Sequence, residues 1–325
     1  LNGPATGGTL YNQQLLAALQ ARGSDARQLA LAELVEPSSA QVWVDSLYLP
    51  ELPGLRARLP RNVRVGLLLH YLPSLLQPAE LERPPQLSAA ERAALAAVEH
   101  VVTPSTYLCE LLGALAPEKP RSVVEPGVQT LQPGGAERRD GTALMICNVT
   151  ENKGVLPLLA ALARLASARD GFALCIAGRL DLEPAYAAAC LAQCEQNAWL
   201  KAHVTWLGGL THDQLFARLS RASLCVSASH MESYGMALAE ARAHGAALLA
   251  CQGGNIAHHI AAESGGELTA DPPALAAALL RLMRDRPELE RRTQLARSWA
   301  LAHGARSWQA VADDFLGACA ALQRS

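Results

Sequence analysis

Long hydrophobic runs are missing from this 325-residue chain. Half of its residues are hydrophobic, but alanine and leucine supply most of them. No uninterrupted apolar run reaches the roughly 18 residues that a membrane span needs. The stretch VRVGLLLHYLP is much too short and breaks at a proline. Nor is there a basic segment followed by an apolar one and a small-residue cleavage site, the mark of a secretory signal. These absences suit a cytoplasmic protein and leave peripheral membrane contact open through an amphipathic helix. Charge of one sign is lacking too. Lys and Arg total 28 against 30 for Asp and Glu, a net charge of -2, and scattered basic residues argue against a nucleic-acid binder. The eight cysteines form no disulfide or zinc framework. Cys147, Cys175, Cys225 and Cys251 lie in apolar strand-like runs and read as buried free thiols. Cys190 and Cys194 are four apart on a predicted helix, a metal pair in spacing, but no companion ligands stand at a convincing distance. The G-x-G-x-x-G dinucleotide fingerprint is absent, as is a Tyr-x3-Lys site, which argues against an NAD-dependent oxidoreductase.

What is present is a rhythm. In the second half, short apolar strands alternate with helical segments: ALMICNV then GVLPLLAALARLAS, FALCIAG then EPAYAAACLAQCEQ, VTWLG then THDQLFARLSRA, LCVSAS then MALAEARAHG, AALLAC then NIAHHIAA. Strands without polar alternation belong in a parallel sheet covered on both faces. The alternation specifies a doubly wound α/β domain. The first half has the same character less clearly. GPATGGTLYNQQLLAALQARG reads as a glycine loop feeding a helix that stops near Gly23, and VWVDSLYL and VRVGLLLHYL read as strands. SAAERAALAAVE reads as a helix with Ser88 and Glu91 at capping-box spacing. VVTPS and SVVEPGV are short strands, and ARSWALAHGARSWQAVADDFLGACAAL is a helical C-terminal stretch. A polar, Gly- and Pro-bearing run at 131–142, LQPGGAERRDGT, marks the domain boundary.

Several residues carry chemistry in this pattern, each beside a plainer role. Gly7 and Gly8 open amides to a phosphate or make a tight turn. His70 ends a strand, where open α/β sheets place ligands, or is a core histidine bonded to backbone. Lys153, beside Asn148 and ahead of a helix, suits a diphosphate or faces solvent. Arg179 can meet a phosphate, while Asp181 caps the next turn. Glu232 precedes a helix that starts near Gly235, and Glu240 lies one or two turns inside it. Both acids can simply favour the helix N-terminus. Alternatively one carboxylate accepts from vicinal ribose hydroxyls and the other steadies a reacting sugar, while the amides of Gly235, Met236 and Ala237 meet phosphate or sugar oxygens. Gly253 and Gly254 make a further turn of exposed amides.

The run from Ser227 to Gly254 resembles the donor-binding signature of retaining glycosyltransferases of family four, which have the GT-B fold. That signature is a Glu-x7-Glu pattern, a glycine soon after the first acid and a later Gly-Gly turn. It matches Glu232, Gly235, Glu240, Gly253 and Gly254. Gly7 and Gly8, His70, the EPGV run at 125–128, and Lys153 with Gly154 follow the family order over nearly the whole chain. The resemblance implies two Rossmann-like α/β domains facing across a cleft. Residues 1–137 would form the acceptor-side domain and 138–300 the nucleotide-sugar domain. Residues 301–325 would cross back to the first, with Trp299 and Trp308 as anchors or as packing residues. It implies metal-independent, hexosyltransferase-like chemistry with retained anomeric configuration, with a UDP-sugar as donor substrate and no cofactor; no DxD motif is placed to hold a metal. His70 and Glu232 would then be the candidate catalytic residues, Glu240 would grip ribose and Lys153 would neutralise the diphosphate. Gly7, Gly8, Arg179, Gly235, Met236, Ala237 and Gly254 would surround the donor. Two departures stand out. The family often has an arginine five residues before the lysine, and here that position is Asn148, so a charge is missing or comes from elsewhere, Arg179 being a candidate. Family members also begin with a strand, and this chain begins in the loop, so a preceding strand is expected. The competing reading is a GT-B-like nucleotide-sugar binder with altered or lost transfer. The N-terminal loops show no distinctive acceptor clamp, and the sequence does not specify an oligomeric state.

Overall fold

The computed structural model describes residues 7–34, 40–75, 85–128, 141–167 and 170–324. The 131–142 linker therefore lies almost wholly outside the described residues. The chain divides into two compact units: Leu1–Gly127 with Arg306–Ser325, and Val128–Ala305.

In the first unit β1 (Gln41–Asp45), β2 (Arg64–Leu68), β3 (His100–Thr103) and β4 (Arg121–Val123) form a parallel sheet in that order. Valine and leucine fill the central strands, and β3 is buried along its whole length, as a sheet covered on both faces requires. The predicted strand VWVDSLYL is shorter than expected. It ends at Asp45, whose carboxylate accepts the Leu47 N–H at 2.7 Å and turns the chain into a 3-10 helix, Ser46–Glu51. The strand predicted from VRVGLLLHYL likewise stops at Leu68. The Ser88 cap forms as expected. Glu91 is buried there and accepts hydrogen bonds from both the amide and the hydroxyl of Ser74, so the cap also secures the segment that follows His70.

Gly7 and Gly8 correct the expected loop, since they are the first two residues of the helix Gly7–Ala21. That helix packs on the C-terminal helix Trp308–Arg324. The Tyr11 and Trp308 rings are 5.6 Å apart, and Arg22 pairs with Asp313 at 2.6 Å.

The second unit holds a six-stranded parallel sheet in the order β10-β9-β8-β5-β6-β7. Its strands are β5 (Ala143–Ile146), β6 (Leu174–Ala177), β7 (Val204–Gly208), β8 (Leu224–Ser227), β9 (Ala247–Cys251) and β10 (Glu267–Thr269). Counted from β5, this is the doubly wound order 3-2-1-4-5-6, which reverses direction between β5 and β8. One face is covered by the helix Val155–Leu165 with Pro272–Arg284, and the other by Met236–Ala243 with residues around Leu219 and Ile256. In this unit β10 and the helices Ala198–His203 and Pro272–Arg284 are among the elements that add to those predicted. The C-terminal helical stretch is two helices, not one. Arg286–His303 ends at Gly304 with φ 64°, and the next begins at Trp308. Trp308 packs in the first unit, whereas Trp299 stacks on His303 within the second.

Among the described residues no helix is long and apolar enough to cross a membrane. None of the eight cysteines is in a disulfide. Cys190 and Cys194 are buried, and among the described residues no group of three or more candidate ligands gathers around a metal position.

Candidate functional site

Open α/β sheets bind ligands beyond the carboxyl ends of their strands, where the strand order reverses. Here that point lies between β5 and β8. The chain leaving β5 carries Asn148 and Lys153, and the chain leaving β8 carries Glu232. Lys153 Nζ donates to Glu232 Oε1 at 2.6 Å, with the two side chains 25% and 19% exposed. Burial works against the Lys153 charge, but the Glu232 carboxylate outweighs it by attraction and hydrogen bonding, and the ammonium pKa is raised. The site therefore keeps a fixed cation whose partner is an acid that a ligand anion can replace.

Close backbone packing holds these residues. Gly154 has φ 62°, and a Cβ there would lie 2.1 Å from the Ala228 carbonyl oxygen. Only glycine lets the turn carrying Lys153 approach β8 so closely. Asn152 bridges the same gap: its carbonyl accepts the His230 N–H at 2.8 Å and its Nδ2 donates to the Met231 carbonyl at 3.0 Å. Its buried Oδ1 has no hydrogen-bond partner among the described residues. On the other side, the Asn255 N–H donates to the Glu232 carbonyl at 2.8 Å, and Glu232 bridges Gly254.

The helix Met236–Ala243 starts from Gly235, whose φ is 96°, and no side chain caps its first amides. They are thus available to an anion. Glu240 lies inside the helix and is 6% exposed. No hydrogen bond or ion pair to its carboxylate is found among the described residues. Burial raises its pKa to about 7. A desolvated acid without donors is costly unless something else supplies them.

Arg179 follows Gly178 after β6. Its N–H donates to Asn148 Oδ1 at 3.1 Å, and its guanidinium pairs with Asp181, Nε to Oδ1 at 2.8 Å. Arg179, a candidate phosphate ligand, and Asp181, the alternative cap of the next turn, engage each other through their side chains. Asn148, at the position where the resembling family often has arginine, is uncharged, and its side-chain oxygen accepts a backbone N–H.

Gly7, Gly8 and His70 belong to the other unit. A Cβ on Gly8 would lie 2.9 Å from His70 Cδ2, so glycine lets the helix start rest on the imidazole. His70 Nε2 is 2.9 Å from Asn12 Oδ1, and Asn12 Nδ2 in turn donates to Asp45. An amide oxygen only accepts, so the proton sits on Nε2 and Nδ1 keeps its lone pair. Burial lowers the His70 pKa, and nearby Asp45 partly counters this.

Lys153, Glu232, Gly235 and Gly254 are thus brought together, as are Gly8 and His70. Asn12, Asp45, Asn152, Asn255 and His259 were missed by sequence reading. Their one sequence signal is weak: polar side chains beside the turns that hold the better-known residues.

The family model for glycosyl transferases group 1 matches residues 131–299. Glycogen synthase of Mycobacterium tuberculosis H37Rv is 30% identical over 197 residues, 59% of this chain and 46% of that protein. The chain thus spans about half the length of the curated relatives it matches. Among solved structures, sucrose-phosphate synthase from Thermosynechococcus elongatus aligns with a TM-score of 0.75 at 18% identity, covering 98% of this chain and 94% of that one. Anabaena Alr3699/HepE in complex with UDP-glucose aligns with a TM-score of 0.67 at 15% identity, covering 87% and 79%. These neighbours have the GT-B fold, and the likeness establishes that fold for this chain.

Proposed function

This chain belongs to the group 1 glycosyl transferases, and from that premise we propose that it is a retaining glycosyltransferase moving a sugar from a UDP-sugar to an acceptor. The observation that carries this reading is the Lys153–Glu232 pair, held at 2.6 Å where the strand order reverses. Lys153 and the uncapped amides at Gly235 neutralise the diphosphate and the charge that develops as it leaves. Glu232, released from the lysine by the diphosphate, lies beside the sugar and stabilises positive charge at the anomeric carbon. Glu240 accepts from the ribose hydroxyls and so gains the donors that its pocket lacks. The UDP-glucose complex of Anabaena Alr3699/HepE makes UDP the first nucleotide to test.

A second reading, a nucleotide-sugar binder without transfer, is favoured by Asn148 and Arg179. Neither offers an unengaged charge, as Asn148 bonds the Arg179 amide and Arg179 pairs with Asp181. Calorimetry with UDP, GDP and NAD separates the donor classes, and product analysis with UDP-sugars separates transfer from binding. UDP binding with sugar release or transfer supports the first reading, and binding without turnover supports the second. Preference for NAD overturns both.

A further inference from the structure

The donor loop at 232–235 is moulded by the segment after β9, and two side chains of that segment converge on one carbonyl. Asn255 Nδ2 donates to the Tyr234 oxygen at 2.9 Å, and His259 Nε2 approaches the same oxygen at 2.6 Å. Asn255 is 5% exposed and His259 is fully buried. A carbonyl only accepts, so His259 carries its proton on Nε2. The imidazole is neutral at ordinary pH because burial lowers its pKa to about 3. The ring also packs edge-on against Tyr234, with centroids 4.9 Å apart.

The consequence follows from peptide geometry. A trans peptide is planar, and its C=O and N–H point in opposite directions. Among the described residues there are no cis peptides. Holding the Tyr234 oxygen toward Asn255 and His259 therefore turns the Gly235 N–H away from them, and no acceptor for that N–H is found among the described residues. Gly235, at φ 96°, can adopt this arrangement without the strain a side chain would bring. The fit is close, since a Cβ on Gly235 would lie 3.2 Å from the His259 ring.

We infer that Asn255 and His259 are positioning residues that pin the Tyr234 carbonyl and so hold the Gly235 N–H preset to receive an oxygen of the bound nucleotide sugar. The inference rests on the donor-site reading above. Without the clamp, the Tyr234–Gly235 peptide can rotate and present a carbonyl where the ligand needs a donor. Binding must then supply the cost of turning it back.

Two substitutions at one position separate the N–H from the ring. His259→Gln keeps a donor and loses the ring, and His259→Phe keeps a ring and loses the donor. Asn255→Ala removes the second donor and serves if His259→Phe fails to fold. Hydrogen–deuterium exchange over 232–238 in the unliganded protein reads the clamp without any ligand, and calorimetry with UDP reads its use. His259→Phe and Asn255→Ala are expected to speed exchange there and weaken UDP about tenfold, with His259→Gln near the unmodified protein in both. Unchanged exchange in both donorless variants overturns the clamp. Faster exchange with unchanged UDP affinity overturns its role in donor binding. Equal loss in His259→Gln and His259→Phe assigns the effect to ring packing and overturns the hydrogen-bond role. Failure of the unmodified protein to bind UDP, GDP or ADP overturns the donor reading itself, and the positioning role with it, a result distinct from the variants' behaviour.

Discussion

Glu232 and Glu240 are the same residue type eight positions apart, yet their surroundings differ. Glu232 has a cation at 2.6 Å, and Glu240 has burial alone. For Glu240 the pKa is 4.5 in the unfolded chain and about 7 in the folded one. Between these values the folded protein holds the extra proton. The contribution of Glu240 to stability is therefore greatest below about 4.5, falls as pH rises, and levels off above about 7. Glu240→Gln removes this dependence. Its melting stability should gain on the unmodified protein by up to about 3 kcal/mol between pH 4.5 and 8; parallel melting curves across that range check it, and two parallel profiles would refute it. If Glu240 grips ribose, UDP affinity should also rise through pH 7 more steeply in the unmodified protein than in Glu240→Gln, and the variant should chiefly raise donor KM. Glu232→Gln should chiefly lower kcat while UDP affinity holds, because it frees Lys153. Lys153→Ala should weaken UDP by about 2–3 kcal/mol, the worth of a charge-assisted contact out of water. Steady-state kinetics and calorimetry of the three variants test these roles together, and the same kinetic defect in both glutamate variants would remove the division of labour.

Elements bring these residues together through their ends. The 3-10 turn Glu151–Lys153 must come against β8, and Gly154 permits this with φ 62° and a Cβ position only 2.1 Å from the Ala228 oxygen. Gly154→Ala should cost more than about 3 kcal/mol or abolish soluble expression, because the obstacle is backbone rather than a side chain that can move. Ser88→Ala should cost about 1 kcal/mol, the usual worth of a helix N-cap, with the fold intact. Thermal melting of both variants checks the contrast. The strand-helix alternation was legible because apolar runs and helix caps are local signals. Where VWVDSLYL leaves its strand was not, since the turn at Asp45 depends on a carboxylate taking the Leu47 amide. The break at Gly304 was equally hidden in a stretch whose flanks are both helical.

For the whole molecule, the division into units is not a simple halving of the chain. Arg306–Ser325 belongs with Leu1–Gly127, and Trp308 packs on Tyr11. Trp308→Ala should destabilise the first unit by about 3–5 kcal/mol, as the loss of a buried tryptophan does. Hydrogen exchange should then rise across 7–21 and 41–68 while 143–303 keeps its protection. Uniform loss of protection in both units would show that they unfold together.

The acids, lysine and glycines of the candidate donor site stand out as a set only through the family resemblance, whereas local chemistry was enough to announce two α/β units, the order of the strands along the chain and the Ser88 cap. The latter follow from periodicity, turn residues and spacing, which neighbouring residues impose on one another. Pairings over long separations lay beyond that reach. Lys153 meets Glu232 across 79 positions, and His259 meets the Tyr234 carbonyl across 25. Such partners are chosen by which strand ends the sheet order sets side by side and by which polar groups are left in need of a bond once water is gone, and neither is written in the residues near either partner.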